Sequence, residues 1–249
     1  MQFEFAKVSL TGHRSDNQDR VEIVTRGSSA LLIVVDGMGG HAKGAMASEV
    51  TVACLVRRFR SAGQPVLDPQ GFLIAALAAA HEEVVALGSG IAVDQRPRAT
   101  CAVCLVQDDN LYCAHVGDSR IYQLRGRSIV HRSRDHSHVQ LLLHEGVIDE
   151  AEVNNHPMRN FVECCLGGDE PLPDMSIDSR RHFASGDVVL LCSDGLWTGL
   201  SDDDLFALTV TETGLEGVLT ELANRAVAQG APNSDNTTAA VLRSKGALP

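Results

Sequence analysis

Four aspartates carry the chemistry this sequence can do, and each stands where a strand ends or begins. Asp36 closes the run LLIVVD, Asp194 follows VVLLCS, Asp118 lies in HVGDSR between two expected strands, and Asp235 lies in NSDNTTAAVL just before the last one. An unpaired carboxylate at the tip of a buried strand costs several kcal/mol unless a cation or a set of donors meets it. If the sheets gather such tips, two carboxylates ~4 Å apart repel by ~4 kcal/mol at an effective dielectric of about 20. Divalent cations relieve that repulsion. Hard oxygen ligands without a histidine cluster suit Mg2+ or Mn2+, and the glycines beside Asp36 let a backbone carbonyl approach an ion. The plain alternative is that each aspartate caps a turn or a helix. Glycine next to three of the four weighs against it.

The elements that must position these residues are legible from periodicity. Short apolar or alternating runs predict strands over 4–10, 20–25, 30–35, 100–107, 111–116, 120–124, 128–131, 175–181, 187–192 and 237–243. Helices are expected over 42–60, 69–87, 139–145, 202–209 and 215–229. In the first helix Ala47, Val50, Ala53 and Cys54 make an apolar face suited to a sheet. Strands joined by tight turns, as in VQDDNLYCAHVGDSRIYQLRGRSIVH, form antiparallel meanders, so the expectation is sheets inside and helices outside.

Composition bounds the rest. The 249 residues, 44% of them hydrophobic, suit one domain spanning 1–249, and no repeat or long linker divides them. No apolar run approaches the ~18 to 20 residues of a membrane span, and the N-terminus lacks the pattern of a secretion signal. No membrane segment is expected. A net charge of −11 works against binding nucleic acid or anionic lipid, so neither is an expected partner. Seven cysteines, most of them within apolar runs, suit a reducing compartment and predict a cytoplasmic protein. Cys101 and Cys104 form a CxxC inside a strand-like run with no second pair to complete a zinc site, so they are expected to be core. His131, His136, His138, His144 and His156 are expected in surface or capping roles rather than as metal ligands.

In combination these motifs resemble the PPM or PP2C-type metal-dependent Ser/Thr protein phosphatases, in particular their bacterial members. GHRSDNQD at 12–19 is similar to the opening G-x-R-x-x-N-[QE]-D of that family, and VVDGMGGHAKGAMAS at 34–48 to its D-G-M-G-G-H segment. RATCAV at 98–103, HVGDSRIY, RDHS, LCSDGLW and SDNTTAAV follow in the family's order. The resemblance covers nearly the whole chain.

It implies an α+β fold, a four-layer α-β-β-α sandwich of two central antiparallel sheets, with two metal ions in a cleft at the sheets' end. By position, Asp36 would bridge the two ions, the Gly37 carbonyl would hold the second, and Asp194 and Asp235 the first. Asp118, together with Asp194, would recruit a third, weaker ion. Asp19 would act at one remove, orienting water at the metals. The implied reaction is hydrolysis of phosphoserine and phosphothreonine by a metal-activated water, with one guanidinium and the metals holding the equatorial oxygens. Arg14 is the candidate guanidinium, because its fork matches two phosphate oxygens. Eukaryotic members carry a histidine after the Asp-Gly pair as proposed general acid, where this chain has Met38; His41 is a possible substitute.

Residues 136–168 resemble the flap beside the bacterial cleft, including its H-P-x-R-N, and would gate or select phosphoprotein substrates; Arg159 could touch a substrate phosphate. The implied partners are phosphorylated Ser/Thr proteins and a cognate Ser/Thr kinase. The competing readings are a catalytically silent binding module on the same fold and a small-molecule phosphoesterase.

Overall fold

The structure, a computed structural model, describes residues 2–38, 42–153, 156–210 and 214–245. The first half contains β1 (Gln2–Leu10), β2 (Arg20–Arg26), β3 (Ser29–Val35), β4 (Gly37–Met38), α1 (Ala42–Ser61) and α2 (Pro69–Leu87). Then follow β5 (Arg98–Ala99), β6 (Cys101–Gln107), β7 (Asn110–Val116), β8 (Arg120–Arg125) and β9 (Ser128–Arg132). The flap segment holds α3 (His138–His144), α4 (Glu150–Val153) and β10 (Leu166–Gly167). The last part comprises β11 (Ser176–Ile177), β12 (Arg181–His182), β13 (Val188–Cys192), α5 (Asp194–Trp197), α6 (Asp202–Leu205), α7 (Leu215–Gln229) and β14 (Thr237–Lys245).

Two antiparallel sheets form the middle of the fold. One runs β1-β14-β13-β8-β9, the other β11-β7-β6-β3-β2 with β12 added on β7. The continuous apolar runs exist because both faces of these strands are covered. Along β3, Ala30, Leu32 and Val34 face the partner sheet, where they meet Ile121, Val189, Leu191 and Leu242. Leu31, Ile33 and Val35 point the other way, into the layer with Leu55 and Phe59 of α1 and Leu73 and Leu77 of α2. Across β13 the same period of two sends Val188, Leu190 and Cys192 to Leu219, Leu222 and Ala226 of α7. The result is the expected α-β-β-α order, with a small third sheet, β10-β5-β4, at the edge next to the aspartates.

Three expectations need correction. The strand expected over 175–181 is two short pieces on β7, because the chain turns at Asp178, whose N–H bonds the Cys113 carbonyl at 2.9 Å. The helix expected over 202–209 starts as α6 inside a Ser201/Asp204 capping box but tightens to a 3-10 turn over Phe206–Thr209. The third concerns α2, which is long and apolar enough by length and composition to cross a membrane, contrary to the reading of the sequence. In this fold its Leu73, Ala76, Leu77, Ala80 and Val84 are buried on the sheet and α1.

The flap begins and ends on itself. Ser137 bridges Val162, His138 N–H donates to the Phe161 carbonyl, and Glu163 N–H donates to the His136 carbonyl at 2.8 Å. Its base is thereby fastened to the turn that carries Asp118, since His136 N–H donates to the Gly117 carbonyl.

Candidate active site

Five aspartates converge where the two sheets end. Asp36 follows β3, Asp118 sits in the β7–β8 turn, Asp194 opens α5 directly beyond β13, Asp235 precedes β14, and Asp19 precedes β2. Strand register accounts for this, because β3 neighbours β2 and β6 while β13 lies between β14 and β8. Every one of these chain ends arrives at the same edge.

The carboxyls feel one another. Asp36 is pushed well above the usual carboxylate range, first by burial and then by the charges of Asp19, Asp194, Asp118 and Asp235. Asp194 is raised in the same way, by burial and then by Asp118, Asp235 and Asp19. Asp118 is lifted to about 6 by burial and by Asp135. Burial likewise raises Asp19 to about 6, against the hydrogen bond from Ser193 Oγ to its Oδ2 at 2.8 Å. Its second oxygen, Oδ1, is buried and has no hydrogen-bond partner among the described residues.

The glycines have a sharper reason than the sequence suggests. A Cβ on Gly37 would lie 2.1 Å from the Gly44 carbonyl oxygen and 2.7 Å from that of Gln18. A Cβ on Gly195 would lie 2.1 Å from the Asn236 carbonyl oxygen. Each Asp-Gly step is therefore a place where two backbones touch, which brings Asp36 against the start of α1 and Asp194 against the Asp235 loop.

Arg14, the candidate guanidinium for phosphate, lines the cleft with a partner already on its fork. Its Nε donates to Asp235 Oδ1 at 2.9 Å and its Nη2 to Oδ2 at 2.6 Å, so its fork is engaged by a carboxylate. Its loop is stapled there, for His13 N–H bonds the Ser234 carbonyl, and His13 Nδ1 lies 2.7 Å from Ser234 Oγ. A cleft of about 830 Å3 opens beside the pair and reaches the flap, with Arg14, Asp118, Asp194 and Asp235 at one end and Arg159 and Asn160 in its wall. Arg159 thus shares the cleft with the aspartates. Met38 is partly buried and pairs in register with Arg98, while His41 lies outside the described residues.

Other residues of the site escaped the reading of the sequence. Asn236 is the organiser of the Arg14 loop: its Oδ1 accepts from Gln18 N–H at 2.8 Å, and its Nδ2 donates to the Thr11 and Asp16 carbonyls at 2.9 Å each. Ser193 joins Asp19 to β14, donating to Asp19 and accepting from Thr238 N–H. Both stand next to a candidate aspartate in SDN and SDG, which was the available signal. His131 and His136 are not surface groups. His136 stacks on His115 with ring centroids 4.6 Å apart, lies 2.8 Å from Ser176 Oγ, and is held down to about 4 by burial and by His115. His131 Nε2 lies 2.5 Å from Asp178 in a mostly buried pair. All seven cysteines are free, with Cys101 and Cys104 buried in β6 as expected.

The donor set is oxygen-only and crowded with like charge, and one buried carboxylate oxygen lacks a partner. That chemistry fits hard divalent cations. Among the described residues no three His, Cys, Asp or Glu side chains already enclose a single point. Small cations of this kind take one or two carboxylates each and complete their shell with water.

The site is thus an open cleft at the end of an α-β-β-α sandwich, where the strand ends gather aspartates. The chain belongs to the protein phosphatase 2C family, whose model it matches over residues 11–229. It is 36% identical over 237 residues to the serine/threonine protein phosphatase PstP of Mycobacterium tuberculosis; the match takes in 92% of this chain and 42% of that longer protein. Its fold superposes on the Streptococcus agalactiae serine/threonine phosphatase with a TM-score of 0.87 at 28% identity, covering 98% of this chain and all of that one. The catalytic domain of PstP in complex with two manganese ions gives a TM-score of 0.81 at 31% identity, covering 98% of this chain and 99% of that one.

Proposed function

We propose that this chain is a metal-dependent phosphoprotein phosphatase that hydrolyses phosphoserine and phosphothreonine, using two Mn2+ or Mg2+ ions held by Asp36, the Gly37 carbonyl, Asp194 and Asp235. Asp118 with Asp194 is the place for a third. The observation that carries this reading is the mutual repulsion among Asp19, Asp36, Asp118 and Asp194, which a divalent cation relieves and which folding alone does not reward. The two manganese ions of the PstP catalytic domain support the choice of metal.

When bound, such ions supply Lewis acidity that makes water nucleophilic near neutral pH and neutralises charge on the phosphoryl oxygens. The protein's own groups do the rest. Asp19, buried and fixed by Ser193, keeps one oxygen available to accept a hydrogen bond from the attacking water. Arg14, shared with Asp235, presents its guanidinium at the cleft mouth, where a phosphate can compete for the same fork. Arg159 reaches the cleft from the flap and suits a second contact to the phosphoprotein.

The expected substrates are phosphorylated Ser/Thr proteins made by a cognate kinase. The free cysteines support a cytoplasmic setting. Phosphate release from a phosphothreonine peptide, measured for wild type and Asp36→Asn with Mn2+ and with chelator, tests the proposal. Turnover that needs both the metal and Asp36 supports it. Folded, metal-loaded wild type that hydrolyses nucleotides but no phosphopeptide, or nothing at all, overturns it in favour of a small-molecule esterase or a silent binding module.

A further inference from the structure

Asp118 and Asp194 reach the cleft on different elements, and one side chain spans the two. Trp197, the chain's single tryptophan, lies three residues beyond Asp194 on α5. Its Nε1–H donates to the main-chain carbonyl of Asp118 at 3.1 Å. Arg120, two residues beyond Asp118, lays its guanidinium over the same indole, 3.5 Å from the ring centroid.

That guanidinium is itself held. Its Nε and Nη2 donate to Asp135 Oδ1 and Oδ2 at 2.9 and 2.8 Å, and its Nη1 donates to the Tyr122 hydroxyl at 3.3 Å. The Arg120 and Asp135 side chains are 19% and 7% exposed, so the pair is shielded from screening and its geometry is fixed. A cation on an indole face adds attraction, more so when partly desolvated. The Asp118 turn is thus clamped to α5 from both sides of Trp197, by a hydrogen bond at the ring edge and a guanidinium on its face.

We propose that Trp197 and Arg120 are positioning residues that fix Asp118 relative to Asp194, so that the two carboxylates meet a divalent cation as a preset pair. Neither side chain is assigned as a ligand. The inference rests on the reading of Asp118 and Asp194 as cation ligands. Loss of a side chain that orients a metal ligand typically weakens the metal by about 10- to 100-fold, whereas a ring that only packs against the core between β13 and α7 would lower stability and leave the ion's affinity alone.

Titration calorimetry with Mn2+ on wild type, Asp118→Asn, Trp197→Phe and Arg120→Lys, with thermal unfolding of each, separates these roles. Phe keeps the aromatic face for Arg120 and removes only the N–H donor. The expected result is a weak Mn2+ step in wild type that Asp118→Asn abolishes and Trp197→Phe weakens about tenfold or more, with the tighter steps unchanged. Phosphatase activity of Trp197→Phe should then need more Mn2+ but reach a near-normal kcat. An unchanged weak step in Trp197→Phe, or a uniform loss at every step together with a lower Tm, overturns the proposal while leaving Asp118 a ligand. A wild-type isotherm that Asp118→Asn does not alter overturns both. If Trp197→Phe does not fold, Arg120→Lys, which keeps the charge and loses the fork on Asp135, is judged by the same outcomes.

Discussion

Arg14 grips Asp235 with both arms of its guanidinium, Nε on one carboxylate oxygen and Nη2 on the other. The phosphate-binding candidate and a metal-ligand candidate therefore occupy each other. Their side chains are 57% and 38% exposed, so the pair adds under ~1 kcal/mol to folding. Its meaning lies in competition for Asp235.

Replacing Arg14 by alanine should accordingly leave unfolding by urea almost unchanged. It should tighten Mn2+ binding up to about fivefold, the equivalent of ~1 kcal/mol, by releasing Asp235. Phosphopeptide kcat/KM should fall by about 10²-fold, since a donor to the transferred group is lost. Calorimetry and steady-state kinetics on the same preparation check both signs.

Asp36→Asn should abolish turnover and yet stabilise the metal-free protein. A neutral amide removes the charge that burial and four neighbouring aspartates disfavour. Each kcal/mol relieved raises Tm by about 2–4 °C in a chain of this length. Differential scanning in chelator, where wild type should melt first, is the measurement.

The metal-free protein should lose stability as pH rises. Asp19 and Asp118 sit at about 6 in the fold against an ordinary 3.8, so the folded state holds their protons longer than the unfolded chain does. The contribution of these two carboxyls is most favourable below ~4, falls through 4 to 6, and stays low above that, at a cost of ~3 kcal/mol for a carboxyl so shifted. Asp36 and Asp194, raised further, extend the loss upward. Mn2+ should flatten the curve. Denaturant midpoints from pH 4 to 8, with and without Mn2+, would expose the opposite slope if these carboxyls were favourably paired.

Gly37→Ala should destabilise by more than ~2 kcal/mol, because the new Cβ meets backbone on two sides rather than a side chain able to move. Gly63→Ala, with open space around it and no unusual φ, should be near neutral and serves as the control. Urea midpoints for the two variants decide it.

Much of this molecule is written locally in its sequence. The apolar runs of β3 and β13, the aspartates at their tips and the apolar side of α1 are short-range patterns, and burial on both faces explains why those runs do not alternate. The break at Asp178 and the 3-10 turn after α6 were not readable, because the contacts that accompany them are distant in sequence: Asp178 N–H on the Cys113 carbonyl of β7, and the Thr209 hydroxyl on the Gly126 carbonyl.

What the sequence determined by itself was which carboxylates end which strands, since two-residue periodicity and the glycines beside them are properties of neighbours. What only the tertiary structure decided was which groups meet. Arg14 and Asp235 are 221 residues apart, Ser193 and Asp19 are 174 apart, and Trp197 and Asp118 are 79 apart. Each of these contacts depends on the order in which the strands lie in the sheets, and a hydrogen bond that closes across the sandwich leaves no spacing in the chain from which it could be read.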